Sequence, residues 1–289
     1  MNNLINRIIN RLKITYTDTF LVTPYRLSSF FNKSYGLYKG PPREKKLVVS
    51  LTSYPPRFPY LHICLESLLT QSVKPDMIVL WIYKGDMELL PGSVLKLKKR
   101  GITIKKTPED LKQFKRTYYA FQEHKNHCII LCDDEIIYPS WFIKDIYNKW
   151  KKYPECISAY RTLDIIKTGA QSLAPYDTWP FSTETNPSLK LLPIGTGGIL
   201  YPPGSLSDMV FDTGLRQKLS PTSDDCWNKT CSLLNNTKVI QVNKKIMDFP
   251  IIYYRKTQKH ALWQNDTVSG TKDKYYKNTF DYFGLYEKI

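Results

Sequence analysis

Short apolar runs alternate with amphipathic stretches over the first half of the chain. The runs LVVSL, MIVLWIY and HCIILC are apolar at successive positions, which is typical of strands buried on both faces of a parallel sheet. Together with ITIKKT, they predict strands at 47–51, 77–83, 102–107 and 127–132. Helices are predicted between them at 61–69, 95–99 and 108–124. This alternation predicts an α/β fold with a parallel sheet and right-handed crossovers.

Two helix starts are marked by capping residues. Thr107 precedes Glu109 and Asp110, and this first-turn pattern predicts a capped start for the helix at 108–124. In SPTSDDCWNK, Ser223 precedes two acids in the same way, so a second capped helix is predicted to begin there.

The first 46 residues are unusually basic, with nine Lys or Arg against two Asp or Glu. Residues 1–13 place five apolar side chains on one helical stripe, with basic and amide side chains opposite it. Such a helix lies on an anionic membrane leaflet or docks on the protein's own core, and the sequence favours neither. The Gly/Pro/charge cluster at 34–46 predicts a linker before the first strand.

The charge of the whole chain points to an acidic partner. Its 289 residues carry a formal charge of +16, from 42 Lys and Arg against 26 Asp and Glu. An anionic small molecule or a membrane surface is the expected partner. No nucleic acid is expected, because Lys outnumbers Arg by 32 to 10 and no stretch interleaves Arg with aromatic residues for base stacking. The hydrophobic content of 42% excludes general disorder.

Cysteine usage and the absence of long apolar segments suggest a location. Six cysteines without a repeated CxxC spacing indicate a reducing compartment. His127, Cys128 and Cys132 are spaced like metal ligands, but small buried thiols are the better interpretation of the apolar run CIILC. No segment has the ~18 consecutive apolar residues of a membrane span, and the N-terminus lacks an apolar signal core. We therefore expect a cytoplasmic protein.

Three adjacent carboxylates, Asp133, Asp134 and Glu135, directly follow the predicted strand at 127–132. Ligands of open α/β sheets bind outside this edge, and carboxylates packed together need a cation or hydrogen-bond donors. Mg²⁺ or Mn²⁺ bridging diphosphate oxygens suits such a cluster. A solvated acidic turn is the alternative interpretation.

A second acidic pair and a glycine cluster lie further along the chain. Asp224 and Asp225 are candidates for the base that an incoming hydroxyl group needs, although both alternatively only complement the dipole of their helix. In LLPIGTGGILYPPGSL, Gly195, Gly197 and Gly198 permit close backbone approach to a ligand. A tight turn between two strands explains these glycines equally well.

Four segments of the chain, taken together and in this order, resemble a bacterial GT-A glycosyltransferase family related to family 2. They are VVSLTSYPPRF, CIILCDDEIIYPSWF, GTGGILYPPGSL and SPTSDDCWNK, and the similarity spans about residues 47–265. The resemblance implies a Rossmann-like, mostly parallel sheet flanked by helices. It also implies a nucleotide-diphosphate-sugar donor, a Mn²⁺ or Mg²⁺ cofactor and an inverting single displacement.

The resemblance further implies roles for individual residues. Asp133, Asp134 and Glu135 match the DxD element, with Asp133 and Glu135 as metal ligands and Glu135 standing where Asp is usual. Asp225 matches the catalytic base, and Asp224 matches an acid that assists it. The residues implied to bind the nucleotide-sugar are Thr52, Ser53, Tyr54, Arg57, Lys115, Asp133, Asp134, Gly197 and Gly198.

These interpretations combine into one expected organisation and function. We expect a basic extension at 1–46, a catalytic domain at 47–265, and a tail at 266–289 that packs on it. The expected reaction moves a sugar, by default from a UDP-sugar, to a surface glycan or a lipid-linked acceptor. The acceptor is expected to belong to lipopolysaccharide or capsule synthesis, at the inner face of the membrane. An inactive carbohydrate- or lipid-binding protein of the same fold is the alternative. His260 is interpreted as a surface histidine.

Overall fold

The computed structural model describes residues 15–244, 247–253 and 270–289, and within these ranges a seven-stranded sheet lies between layers of helices. The strands are β1 (Leu47–Thr52), β2 (Met77–Tyr83), β3 (Ile102–Thr107), β4 (Cys128–Leu131), β5 (Ile157–Ala159), β6 (Thr162–Asp164), β7 (Lys167–Gly169), β8 (Ser172–Leu173), β9 (Leu191–Pro193), β10 (Ile199–Tyr201) and β11 (Val239–Gln241). The helices are α1 (Thr23–Phe31), α2 (Phe58–Leu69), α3 (Gly92–Leu95), α4 (Lys115–His124), α5 (Phe142–Lys152), α6 (Thr213–Leu219), α7 (Asp224–Leu234) and α8 (Thr271–Phe283). A π-helical segment, Thr17–Val22, leads into α1.

The central sheet has the strand order β11-β5-β10-β4-β1-β2-β3. Strands β1 to β4 are mutually parallel and β11 is parallel to β5, whereas β10 runs antiparallel to both β4 and β5. The four strands predicted in the first half of the chain are present within one residue of their predicted bounds. The prediction of an α/β fold with a mostly parallel sheet flanked by helices is confirmed.

Strand β1 shows why these segments are continuously apolar. Leu47, Val49 and Leu51 pack into a core with α2 and α5 on one face of the sheet. Val48 points to the other face, into a core with α4 and α7. Successive side chains of a strand point to opposite faces, so a strand covered on both sides needs apolar residues throughout. A third cluster packs α8 against α7.

Helix α4 begins later than the pattern at 108–124 indicated, and that prediction of its start was wrong. Thr107 does not cap it, because the Thr107 hydroxyl donates to the carbonyl of Glu109 at 3.1 Å. Lys112 has a φ of 54°, a left-handed conformation that a right-handed helix excludes. A 3₁₀ turn, Lys112–Phe114, therefore separates β3 from α4. The helix predicted at 95–99 is replaced by α3 and a 3₁₀ segment, Lys96–Arg100.

A buried carboxylate attaches α1 to the domain. Glu66 of α2 is fully buried, accepts a hydrogen bond from the Ser28 hydroxyl at 2.6 Å and forms an ion pair with Arg100. None of the described helices has the length and apolar character needed to cross a bilayer. The predicted amphipathic helix at 1–13 lies outside the described residues.

The cysteines behave as the apolar run CIILC predicted. All six are free and buried, and Cys128 and Cys132 have no exposed surface. Burial raises the pKa of the Cys128 thiol to about 12, which keeps it protonated at neutral pH. The interpretation of these two residues as buried thiols is confirmed.

Candidate active site

The first part of the site forms where β1 and β4 end side by side. The two strands are parallel neighbours, with Ser50 opposite Leu131, so the segments that follow them leave the same edge of the sheet. The segment after β1 contains the 3₁₀ turn Pro55–Arg57, and the segment after β4 begins with the three adjacent acids. The topology therefore brings together residues about 80 positions apart in the chain.

Arg57 forms ion pairs with the second and third of these acids, and Ser53 donates a hydrogen bond to the second. Asp134 is 6% exposed and accepts hydrogen bonds from Ser53 Oγ at 2.5 Å and from Arg57 Nη1 at 2.6 Å. Arg57 Nη2 lies 2.8 Å from Glu135 Oε2. Burial disfavours the arginine charge, but Asp134 and Glu135 outweigh it and raise the pKa of Arg57. Three residues assigned to donor binding (Ser53, Arg57 and Asp134) and one assigned to the metal (Glu135) are thus in direct contact.

The two other residues assigned to this segment differ in what they contact. The Tyr54 ring lies beside Arg57, whose guanidinium carbon is 5.5 Å from the ring centroid. Burial raises the pKa of the Tyr54 phenol, so it remains a hydrogen-bond donor at neutral pH. The Thr52 hydroxyl donates to the carbonyl of Trp81 at 2.7 Å, within the sheet. Its side chain is therefore engaged by the fold itself.

Arg116 connects the two acidic segments. It lies in the first turn of α4, is 6% exposed, and contacts Asp133 with one guanidinium nitrogen and Asp224 with another, at 2.7 Å. Arg116 Nη1 also donates to the Cys132 carbonyl at 3.0 Å. Asp133 and Asp224 outweigh the effect of burial and raise the pKa of Arg116 well above its ordinary value. One fixed positive charge thus joins the end of β4 to the start of α7.

Sequence reasoning missed Arg116 and assigned its neighbour instead. Lys115 is 2% exposed, and its ammonium group donates to Asp110 at 2.5 Å. The structure therefore places Lys115 with the 108–114 turn and Arg116 with Asp133. The sequence carried no signal that separates the two, because Lys115 and Arg116 each lie one helical turn before a buried residue, Tyr119 and Ala120.

Asp225 lies at the start of α7, as predicted. Ser223 caps this helix, since its hydroxyl accepts the backbone N–H of Cys226 at 3.3 Å. Asp225 Oδ1 accepts the backbone N–H of Gly195 at 3.1 Å. Burial, reinforced by the charge of Asp224, raises the pKa of the Asp225 carboxyl to about 7. A carboxylate with this pKa is well matched to accepting a proton near neutral pH.

The glycine cluster between β9 and β10 has two distinct uses. A Cβ atom on Gly195 would lie 2.9 Å from Arg116 Nη2 and 3.2 Å from Asp225 Oδ1, so only glycine lets this backbone approach the charged groups closely. Gly197 and Gly198 have φ values of 113° and 91°, which form the turn into β10. Gly197 and Gly198 thus form a tight turn, and Gly195 lies close to two charged side chains of the protein; the approach of these glycines to a ligand stays a prediction.

The C-terminal helix adds a cation that the sequence did not indicate. Lys272 of α8 lies over the Tyr176 ring, with Nζ 4.4 Å from the centroid and 3.1 Å from the phenol oxygen. Its charge also lowers the pKa of Asp225, against the larger effects of burial and Asp224. Helix α8 thus contributes electrostatically to the site. His260 lies outside the described residues.

The chemistry of two carboxylates suits a divalent metal. Asp133 and Glu135 offer hard oxygen ligands, and their side chains keep 19% and 15% exposure. In the part of the chain that the structure describes, no three His, Cys, Asp or Glu side chains converge as a metal cluster. In the structure each of these two carboxylates is paired with an arginine, Asp133 with Arg116 and Glu135 with Arg57.

No protein-family model matches the chain, and no curated protein sequence is significantly similar to it. Similar solved structures include TarS 1–349 of S. aureus, with 10% identity over 82% of this chain and 72% of that one and a TM-score of 0.45. A Pyrobaculum calidifontis mannosyltransferase in complex with GDP-Man and Mn²⁺ is 8% identical over 95% of this chain and 81% of its own, with a TM-score of 0.45. A UDP-glucose pyrophosphorylase is 10% identical over 84% of this chain and 99% of its own, with a TM-score of 0.44. Similarities of this size do not identify a substrate or a reaction.

Proposed function

We propose that this chain is a glycosyltransferase that moves a sugar from a nucleotide-diphosphate-sugar, with UDP as the expected nucleotide, to a hydroxyl group of a glycan or lipid-linked saccharide. One observation carries the proposal: Arg116 contacts both Asp133 and Asp224. This contact joins the acidic segment after β4 to the acid pair of α7, and the hydrogen bond from the Gly195 N–H to Asp225 adds the glycine turn before β10. These are the segments in which the sequence resembles GT-A glycosyltransferases.

The reaction requires a base, and Asp225 is the proposed one. As the acceptor oxygen bonds to the anomeric carbon, its proton passes to the Asp225 carboxylate and the bond from carbon to diphosphate oxygen breaks. Attack opposite the leaving group inverts the anomeric centre. The backbone N–H of Gly195 holds Asp225 Oδ1 at 3.1 Å, which fixes the orientation of the carboxylate. Asp224, paired with Arg116, assists by position and charge.

The donor is proposed to bind at the edge formed by β1 and β4. Ser53, Tyr54 and Arg57 face the acids there, and Arg57 supplies a planar cation suited to phosphate oxygens. Asp133 and Glu135 are the proposed ligands of Mn²⁺ or Mg²⁺. When bound, such an ion supplies charge neutralisation to the diphosphate. Residues 1–13 are proposed to hold the enzyme at the inner face of a membrane, where lipid-linked acceptors reside.

The Asp225→Asn variant tests the proposed base. We expect nucleotide-diphosphate release from UDP-sugars with Mn²⁺ to fall by about 100-fold or more, since a positioned general base contributes at least that factor. UDP binding measured by calorimetry should stay within about threefold, because Asn retains the oxygen that accepts the Gly195 N–H. In the wild type, kcat/KM should decline below about pH 7 as Asp225 becomes protonated.

Asp212→Asn is the matched control, because Asp212 also lies at a helix start and accepts the backbone N–H of Leu215 at 2.8 Å, outside the site. This variant should retain full turnover. Wild-type turnover in Asp225→Asn would contradict the assignment of the base. Binding of UDP without turnover of any UDP-sugar by the wild type would favour the inactive binding protein instead.

A further inference from the structure

An apolar stripe along the N-terminal helical segment faces away from the protein. Five large side chains of residues 15–31 are between 47% and 76% exposed. They are Tyr16, Phe20, Leu27, Phe30 and Phe31. Single exposed apolar residues are ordinary, but a contiguous exposed group on one segment marks an interaction surface.

The fold does not need this stripe for its own packing. The opposite side of the same segment supplies the contacts with the domain: Val22 is fully buried in the core beside α2, and Leu21 and Tyr25 pack against that core. The Ser28 hydroxyl donates to the buried Glu66. Phe30 also packs edge-on against the ring of the buried His62. The other four exposed side chains are additional to the contacts that attach the segment.

Basic residues lie in the same segment as the stripe and in a neighbouring segment that contacts it at Phe30. Residues 15–39 and 92–99, which are neighbours in space, contain six Lys or Arg and one acid. Their proximity is shown by Lys96 Nζ, which lies 4.1 Å from the centroid of Phe30, and by Arg100, which donates to the Ser34 carbonyl. The exposed bases are Arg26, Lys33, Lys39, Lys96, Lys98 and Lys99. We call this stripe and its bases the aromatic–basic surface.

We propose that the aromatic–basic surface docks on the anionic face of a lipid bilayer. Aromatic and leucine side chains enter the boundary between headgroups and acyl chains, while lysine and arginine contact anionic headgroups. The excess of bases fits a surface of many like negative charges. It disfavours a second copy of this chain, because a two-fold pairing would bring twelve bases together. A chain without transferase activity would still bind by this surface.

Flotation of the full chain with vesicles tests the surface. The wild type should float with phosphatidylcholine vesicles containing phosphatidylglycerol and should remain unbound with phosphatidylcholine alone. Phe20→Ser with Phe31→Ser should weaken binding about tenfold or more, because two exposed aromatic rings no longer enter the interface. Replacing Lys96, Lys98 and Lys99 by Gln should weaken vesicle binding about 100-fold at low salt, because each lost base weakens binding about fivefold and the three factors multiply.

Two control variants match these changes in chemistry at other places. Tyr282→Ser removes a ring that is 56% exposed on α8. Replacing the exposed Lys190, Lys218 and Lys238 by Gln removes the same charge as the lysine triple variant. Both controls should bind within about twofold of the wild type. Near-UV circular dichroism of every variant should match the wild type, since all the changes are at exposed positions.

Three outcomes would overturn the proposal. The first is equal vesicle binding by the wild type and Phe20→Ser with Phe31→Ser, which would assign any binding to other residues such as 1–13. The second is equal binding to neutral and anionic vesicles. The third is a wild-type dimer in sedimentation velocity that dissociates in the Phe20/Phe31 variant, which would assign the surface to a second copy. Each result is read without measuring donor turnover.

Discussion

Replacing Arg116 by Met should destabilise the fold by about 3–5 kcal/mol at pH 7.5. The side chain is 6% exposed and contacts two carboxylates that keep only 19% and 12% side-chain exposure. Met fills a similar volume but leaves Asp133 and Asp224 as neighbouring negative charges without a counterion. It also removes the donor to the Cys132 carbonyl. The free energy of unfolding is measured by urea denaturation.

The loss of stability caused by Arg116→Met should become smaller as the pH falls. Without Arg116, two neighbouring carboxylates lie without a counterion in the folded variant, and taking up a proton there relieves their repulsion. The folded variant therefore takes up protons before the unfolded chain does, and its stability recovers as the pH falls. At pH 4.5 the loss relative to wild type should be less than about half of its value at pH 7.5.

Arg161→Met is the matched control for Arg116→Met. Arg161 Nη1 lies 2.6 Å from Asp248 Oδ1, but the Asp248 side chain is 79% exposed, so this pair should contribute less than about 1 kcal/mol. Adding Asp224→Asn to Arg116→Met should restore part of the lost stability, because one of the unpaired charges disappears. A loss as small as that of Arg161→Met, or one that does not change with pH, would refute the reasoning.

Two further predictions concern Gly195 and His62. Gly195→Ala should lower donor turnover by about tenfold or more, because its Cβ would lie 2.9 Å from Arg116 Nη2. Gly214→Ala is the control, because its Cβ would meet nothing closer than 3.6 Å, and its steady-state turnover should be unchanged. Burial, together with Arg26 and Lys96, lowers the pKa of His62 to about 4, so the unfolded chain binds this proton first as the pH falls. Between pH 7 and pH 5 the free energy of unfolding of the wild type should therefore fall by about 2 kcal/mol more than that of His62→Leu. Urea denaturation at each pH measures both proteins, and equal losses in the two would contradict this.

The sequence pattern located the elements that depend on local chemistry. The apolar runs identified β1, β2 and β4, because a strand covered on both faces needs mostly apolar side chains. Ser223 and the following acids identified the start of α7, because a cap is formed by residues within one turn. Thr107 does not cap α4, also because of neighbouring residues: its hydroxyl donates to the Glu109 carbonyl, and Lys112 adopts a left-handed conformation.

The partners of the site residues depended on the tertiary structure. Adjacent residues of a helix point about 100° apart, so whether Lys115 or Arg116 reaches Asp133 depends on how α4 is rotated on the sheet. The effect of Lys272 on the pKa of Asp225 depends on where α8 packs.

By itself, the sequence determined which segments are buried strands, which acids follow β4 and which acids open α7, because burial and capping act on neighbouring residues. Only the tertiary structure decided that β10 lies antiparallel between β4 and β5, and that one guanidinium joins Asp133 to Asp224. The physical reason is that a buried charge is stabilised by whichever opposite charge the packing brings within a few ångströms, at any distance along the chain.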